Sequence, residues 1–151
     1  MNIVKQSKIS SLQQLPKKRS SHLICKLTKF LPAMLLASLL GTYLDLFFVG
    51  KGLYVFPKRL FPDVFTINIV FTLFALPLFI ALFLYISKKI NSWARAALIL
   101  VLSFIMSIIE KQSETFGFFI HHKSWEHIYS FYGYILFLII IYSFHHWQNK
   151  Q

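Results

Sequence analysis

Five carboxylates and a single cysteine are all that these 151 residues contain of either kind. Cys25 alone cannot close a disulfide within the chain, and it leaves no thiol pair for redox chemistry or a zinc–thiolate centre. Charged residues make up 14% of the chain, where an ordinary soluble domain carries about 25%. That is too few to keep a surface wet. Glycine-rich phosphate loops and internal repeats are missing, and so is the zinc-protease helix motif H-E-x-x-H. Its inverted form, H-x-x-E-H, fails by one residue, because "HHKSWEH" puts Lys123 where the first histidine belongs. No Glu-x-x-His pair suits a di-iron bundle.

What the chain has instead is grease. Hydrophobic residues reach 56% and aromatics 18%, which places it among integral membrane proteins. The formal net charge of +11 raises the question of nucleic acid, since Lys and Arg neutralise phosphates. These basic residues flank apolar runs, however, with no aromatic-interleaved patch and no groove-reading motif. No nucleic-acid partner is expected. The lipid bilayer is the expected surroundings, and acidic headgroups are the natural counterion.

A bilayer core about 30 Å thick needs roughly 20 apolar helical residues. Four stretches qualify, near 30–49, 64–86, 93–109 and 128–144. Between the first two, "GKGLYVFPKRLFPD" carries two Gly and two Pro and reads as an extended loop, with Asp63 capping the second span. "SKKINS" is a short basic turn in which Asn91 or Ser92 caps the third span. Pro77 should kink the second span without ending it, because neighbouring helices can re-satisfy the freed carbonyl. Trp93, Trp125 and Trp147 are expected as interfacial anchors. The expected fold is therefore all-α, a polytopic four-transmembrane-helix bundle. It divides into a basic N-terminal arm (1–29), the membrane domain (30–147) and a short tail (148–151). The apolar run after the arm is too long for a secretory leader.

Orientation follows from counting Lys and Arg by side. With the N-terminus inside, Lys5, Lys8, Lys17, Lys18, Arg19, Lys26, Lys29, Lys88, Lys89, Arg95 and Lys150 lie inside. Lys51, Lys58, Arg59, Lys111 and Lys123 lie outside, an asymmetry of eleven to five. Both termini are thus expected in the cytoplasm. All five acids, Asp45, Asp63, Glu110, Glu114 and Glu126, then fall at the outer end. Lys17, Lys18, Arg19, Lys26 and Lys29 are expected against anionic inner-leaflet lipids.

At about 100° per residue, polar side chains fall into one stripe per span. They are Ser38, Gly41, Thr42 and Asp45; Asn68, Thr72 and Ala75; Ser103, Ser107, Glu110 and Glu114; and Glu126, Ser130 and Gly133, with Tyr134 at the margin. Small and polar residues let membrane helices approach and hydrogen-bond, and carboxylates should turn away from lipid. The stripes predict an outward polar pocket built from Asp45, Asn68, Glu110, Glu114, Glu126 and His127. It would bind a cation, a proton or a small ligand. A mixed metal site from Glu110, Glu114, His122 and His127 is the sharper variant, because crowded carboxylates and imidazoles are metal-competent. The bland variant has the same groups bonded to Lys111, Lys51 or loop hydroxyls.

The runs "TYLDLFFVGKGLYVFPKRLFPDVFTINIVFTLFALPLF" and "EKQSETFGFFIHHKSWEHIYSFYGY" resemble small four-span membrane proteins of Gram-positive spore-forming bacteria whose function is unassigned. The resemblance spans 42–147 and implies a multi-pass protein of a bacterial plasma membrane. It transfers no catalytic residue.

The expected function is a transporter-like, accessory or sensory membrane protein with an acidic pocket. It would need no cofactor and would act as a homo-oligomer or with a membrane-protein partner. The alternative is a structural protein whose stripes only hold helices together. A third class is an intramembrane metal-dependent hydrolase. No nucleophile–base pair is legible, so no catalytic residue is assigned and a binding role is preferred over an enzymatic one.

Overall fold

A computed structural model describes residues 28–123 and 125–150. Lys17, Lys18, Arg19, Cys25 and Lys26 lie outside the described residues, so the lipid contacts expected of the arm do too. Among the described residues the fold is mostly helical, with four helices of more than two turns. Helix α1 is Leu31–Gly50, α2 is Leu76–Ser87, α3 is Ser92–Thr115 and α4 is His127–Gln148. Helices α1, α3 and α4 are long and apolar enough to cross a membrane. Leu35, Leu39, Phe74, Leu78, Phe104 and Leu136 stand exposed on the outer faces, an apolar coat that water would not tolerate at this density.

The helix expected as a second span begins later than its hydropathy suggests, and it is shorter than the three long apolar helices. Residues 64–68 are loop, and the helical run starts at Ile69, directly after Asn68. The Asn68 carbonyl accepts from the Phe71 and Thr72 amides, and its Oδ1 lies 3.4 Å from the Phe71 amide. Asp63 is exposed in the preceding loop, so Asn68 takes the capping role expected of Asp63. Asn91 caps α3 as expected, its side chain accepting from the Ala94 amide at 2.8 Å.

Pro77 explains the next irregularity. Phe71–Ala75 is π-helical, and the Leu76 amide bonds to the Phe71 carbonyl five residues back. In that register the Thr72 carbonyl faces Pro77, which has no N–H to offer. Ser38 of α1 supplies the missing donor, its Oγ donating to the Thr72 carbonyl at 2.7 Å. A neighbouring helix thus satisfies the group that proline frees. Close approach makes this possible: a Cβ on Gly41 would collide with Leu76 Cδ2.

Helix packing runs in the order α2–α1–α4–α3. A buried cluster joins Phe30, just before α1, and Ala33 and Ala37 of α1 with Ile80, Phe83 and Leu84 of α2 and Leu138 and Ile141 of α4. It fills the end nearer the α2–α3 turn. At the other end α1 and α3 terminate identically. Gly52 (φ +69°) and Gly117 (φ +70°) each adopt the left-handed conformation two residues past a helix. The Gly52 and Leu53 amides bond back to Val49 and Phe48, and the Gly117 and Phe118 amides to Glu114 and Ser113. Both are Schellman caps, whose left-handed residue glycine adopts at least cost.

Each cap turns the chain back across the bundle end into a two-residue strand, β1 (Tyr54–Val55) and β2 (Ile120–His121). They pair antiparallel, Tyr54 opposite His121 and Val55 opposite Ile120. This small sheet was not expected from an all-α pattern. It ties the two long loops together over the polar half of the helices.

Candidate functional site

Beneath the strand pair lies a cavity of about 300 Å³. All four helical segments reach it, α1 through Asp45, the π-helical turn through Thr72, α3 through Glu110, and α4 through Ser130 and Tyr134. Each of these residues comes from one of the polar stripes, so the stripes do converge. Aromatic rings from the loops close the rest. Tyr54, Phe56 and Phe119 are buried together, and Phe48 and Trp125 pack edge-on at 5.6 Å.

Glu110 is the centre of the hydrogen-bond network. Ser130 Oγ donates to Oε1, and the Tyr134 hydroxyl donates to Oε2 at 2.5 Å. Trp125 Nε1 in turn donates to Ser130 Oγ at 3.0 Å. Ser130 and Tyr134 hold the carboxylate in one orientation, with Trp125 backing Ser130, and the Glu110 side chain is only 9% exposed. Trp125 is therefore not the interfacial anchor its position suggested. It stacks on His121 at 5.3 Å with nearly parallel rings.

Asp45 sits one helix away and accepts from the Tyr54 hydroxyl at 2.7 Å. Burial, reinforced by the Asp45 charge, raises the Tyr54 phenol above its ordinary 10.0. Tyr54 therefore remains a hydrogen-bond donor throughout the neutral range.

The strand register decides which histidine enters. Successive strand residues point to opposite faces, so His121 turns inward with its side chain 4% exposed, and His122 is exposed. His121 Nε2 stands 3.0 Å from Glu110 Oε1, and Nδ1 stands 3.4 Å from Glu114 Oε1. Neither ring nitrogen has the alignment of a hydrogen bond, and both are buried without such a partner among the described residues. Glu114 Oε1 also accepts the His121 amide at 3.0 Å, which locks the strand onto α3. His127, at the start of α4, brings Nε2 to 3.6 Å from Glu114 Oε2. Ser107 Oγ fastens that turn by donating to the His127 carbonyl at 3.2 Å.

Of the residues expected to build the pocket, Asp45, Asn68 and Glu110 line the cavity. Glu114 and His127 gather at its edge around His121. Glu126 does not join them. It is exposed at the N-cap position of α4, where its side chain makes no capping bond. His122 likewise leaves the metal-competent group, and His121 takes its place. Sequence reasoning sets Ser130 and Tyr134 on or beside the fourth stripe without naming them as pocket residues, and it names neither His121 nor Tyr54 as one. For His121 a signal existed: two adjacent histidines in extended chain cannot face the same side.

No family profile, curated protein or solved structure matches the chain. Its function must be argued from the site itself.

Proposed function

We propose that this is a small multi-pass protein of a bacterial plasma membrane whose loop-end cavity binds a cationic ligand, as a transporter-like, accessory or sensory subunit. The observation that carries this reading is an imbalance of charge. Asp45 and Glu110 line one cavity, yet among the described residues no Lys or Arg pairs with any carboxylate. Basic residues stand at the same end but are engaged elsewhere. Lys58 donates to the Phe116 carbonyl, and Arg59 to the carbonyls of Phe56, Pro62 and Phe65. Carboxylates drawn together in a poorly solvated place repel each other unless a proton or cation intervenes. The aromatic walls suit the same ligand class, because ring faces attract cations.

Four crossings with both termini in the cytoplasm are part of this proposal. The helical run 69–87 is about 28 Å long, close to the 30 Å of a hydrocarbon core. The basic asymmetry supports the orientation. With Cys25 replaced, cysteines at Lys89 and Lys150 should label only from the cytoplasm and one at Lys123 only from outside. The reverse pattern overturns the orientation.

The structural alternative draws support from Ser38 on Thr72 and Ser107 on His127, polar groups already spent between elements. Hydroxyls also meet Asp45 and Glu110, but that alternative leaves their negative charge without a Lys or Arg partner among the described residues. The deciding experiment is thermal unfolding of the purified protein in detergent across a series of cations, including tetramethylammonium. A ligand that binds only the folded cavity raises the unfolding temperature with concentration. The rise should vanish in the Asp45→Asn, Glu110→Gln double variant. An equal rise in the double variant, or none in the native protein, overturns the reading.

A further inference from the structure

Taking the cavity to be a cation site, the geometry identifies one cation class more narrowly. We infer that Glu110, His121 and His127 form a three-ligand site for a first-row transition metal ion of the zinc type.

Distance comes first. Glu110, His121 and His127 can each offer one ligand atom such that all three lie within 4.8 Å of one another. Ligand atoms about 2.0–2.1 Å from a tetrahedral metal stand about 3.3 Å apart. The Glu110–His121 separation of 3.0 Å is already on that scale, and small side-chain rotations close the remainder.

The second observation is independent of the crowding of acids. His121 is a histidine more than nine-tenths buried, with both ring nitrogens lacking a hydrogen-bond partner and aimed between carboxylates. Leaving such groups unpaired costs free energy. His127 Nδ1 is buried and unpartnered as well. One deeply buried imidazole and a second, partly exposed one beside a fixed carboxylate supply the N,N,O donor set of such a metal site.

The surroundings also match. A ligating histidine usually turns its other nitrogen to a carboxylate, which sets the tautomer and the ring plane. With His121 Nε2 toward the metal, Nδ1 faces Glu114 Oε1 at 3.4 Å. Trp125 stacks on the same ring and fixes its plane. Ser130 donates to Glu110 Oε1, the oxygen facing His121, and Tyr134 donates to Oε2, so both oxygens of the carboxylate are positioned. Three protein ligands leave a fourth position for Glu114, water or a ligand in the cavity. Nitrogen ligands favour zinc-type ions over Mg²⁺ and Ca²⁺, which prefer all-oxygen sites.

The test is titration of the chelator-treated, detergent-purified protein, carrying a histidine-free tag, with Zn²⁺ by calorimetry and with Co²⁺ by visible absorption. One Zn²⁺ per chain is expected, with Co²⁺ giving the intense ligand-field bands of tetrahedral coordination. His121→Ala, Glu110→Gln and His127→Ala should each weaken Zn²⁺ binding at least tenfold, and Glu114→Gln by about tenfold. His122→Ala should change nothing. If His121→Ala fails to fold, His121→Gln keeps the ring's volume approximately and serves instead. Native-like Zn²⁺ affinity in a folded His121 variant, or loss of it in His122→Ala, overturns the assignment. So does a native protein that ignores Zn²⁺. In that last case a surviving tetramethylammonium response leaves the broader cation reading standing, and a missing one removes both.

Discussion

The two ends of this bundle bury polar groups in opposite ways. At the end near the α2–α3 turn, the charges are positive and meet carbonyls and aromatic rings. Arg95 donates to the Ser87 and Ile90 carbonyls and lies over the Tyr142 ring at 4.5 Å. Lys88 sits over Phe30, and Asn149 bonds to the His145 carbonyl. Carbonyls and ring faces absorb these cations without any carboxylate. At the loop end, Asp45, Glu110 and Glu114 come from different turns and helices, and only hydroxyls, amides and imidazoles meet them. The difference lies in charge. One end meets its cations with carbonyls and ring faces, although Ser87 Oγ and Gln148 Oε1 are buried there without a hydrogen-bond partner. The other gathers carboxylates that no Lys or Arg meets among the described residues, and the proposed ligand would sit there.

The largest effect is expected at the end near the α2–α3 turn. Leu84 is fully buried between α1 and α2. Leu84→Ala should cost about 2–5 kcal/mol of stability through lost contacts and a residual cavity. Reversible unfolding in mixed micelles would measure it. The cation-induced rise in unfolding temperature should survive this loss unchanged. A variant that loses the cation response as well would show that the two ends are not separable.

A smaller effect is expected at Tyr54. Removing its hydroxyl leaves Asp45 without a charge-assisted bond, so Tyr54→Phe should cost about 1–3 kcal/mol at neutral pH. The pH dependence sharpens the point. Burial raises the folded-state value above the ordinary 10.0, so the contribution is complete below pH 10.0. It declines as the unfolded chain begins to ionise above it. The native protein should therefore lose stability more steeply than Tyr54→Phe above about pH 10. Parallel curves would mean that Tyr54 is not held neutral by its surroundings.

The smallest difference contrasts two glycines. A Cβ on Gly133 meets nothing within 4 Å, whereas one on Gly41 collides with Leu76 Cδ2. Gly133→Ala should gain up to about 1 kcal/mol from helix propensity. Gly41→Ala should be neutral or destabilising, because the α1–α2 approach must open. Equal thermal shifts in both variants would deny that this approach is tight.

Much of this molecule was determined by its sequence alone. Hydropathic length marks α1, α3 and α4, since a run of apolar residues can meet its backbone needs only as helix. Helical periodicity brought Ser38, Thr72, Glu110 and Ser130 to inward faces, because 100° per residue is a property of the helix and not of its neighbours. Asn91 was legible as a cap for the same local reason. The tertiary structure decided the rest. His121 enters the site and His122 does not because β1 pairs with β2 in one register, and a shift of one residue would exchange their faces. Glu126 stays exposed because α4 begins after it, at His127. Tyr54 reaches Asp45 only through the turn that the Gly52 cap imposes. Periodicity can assign a side chain to a face of its own helix. Which loop folds over that face, and in what register, depends on contacts between segments distant in the chain, and only the assembled structure contains them.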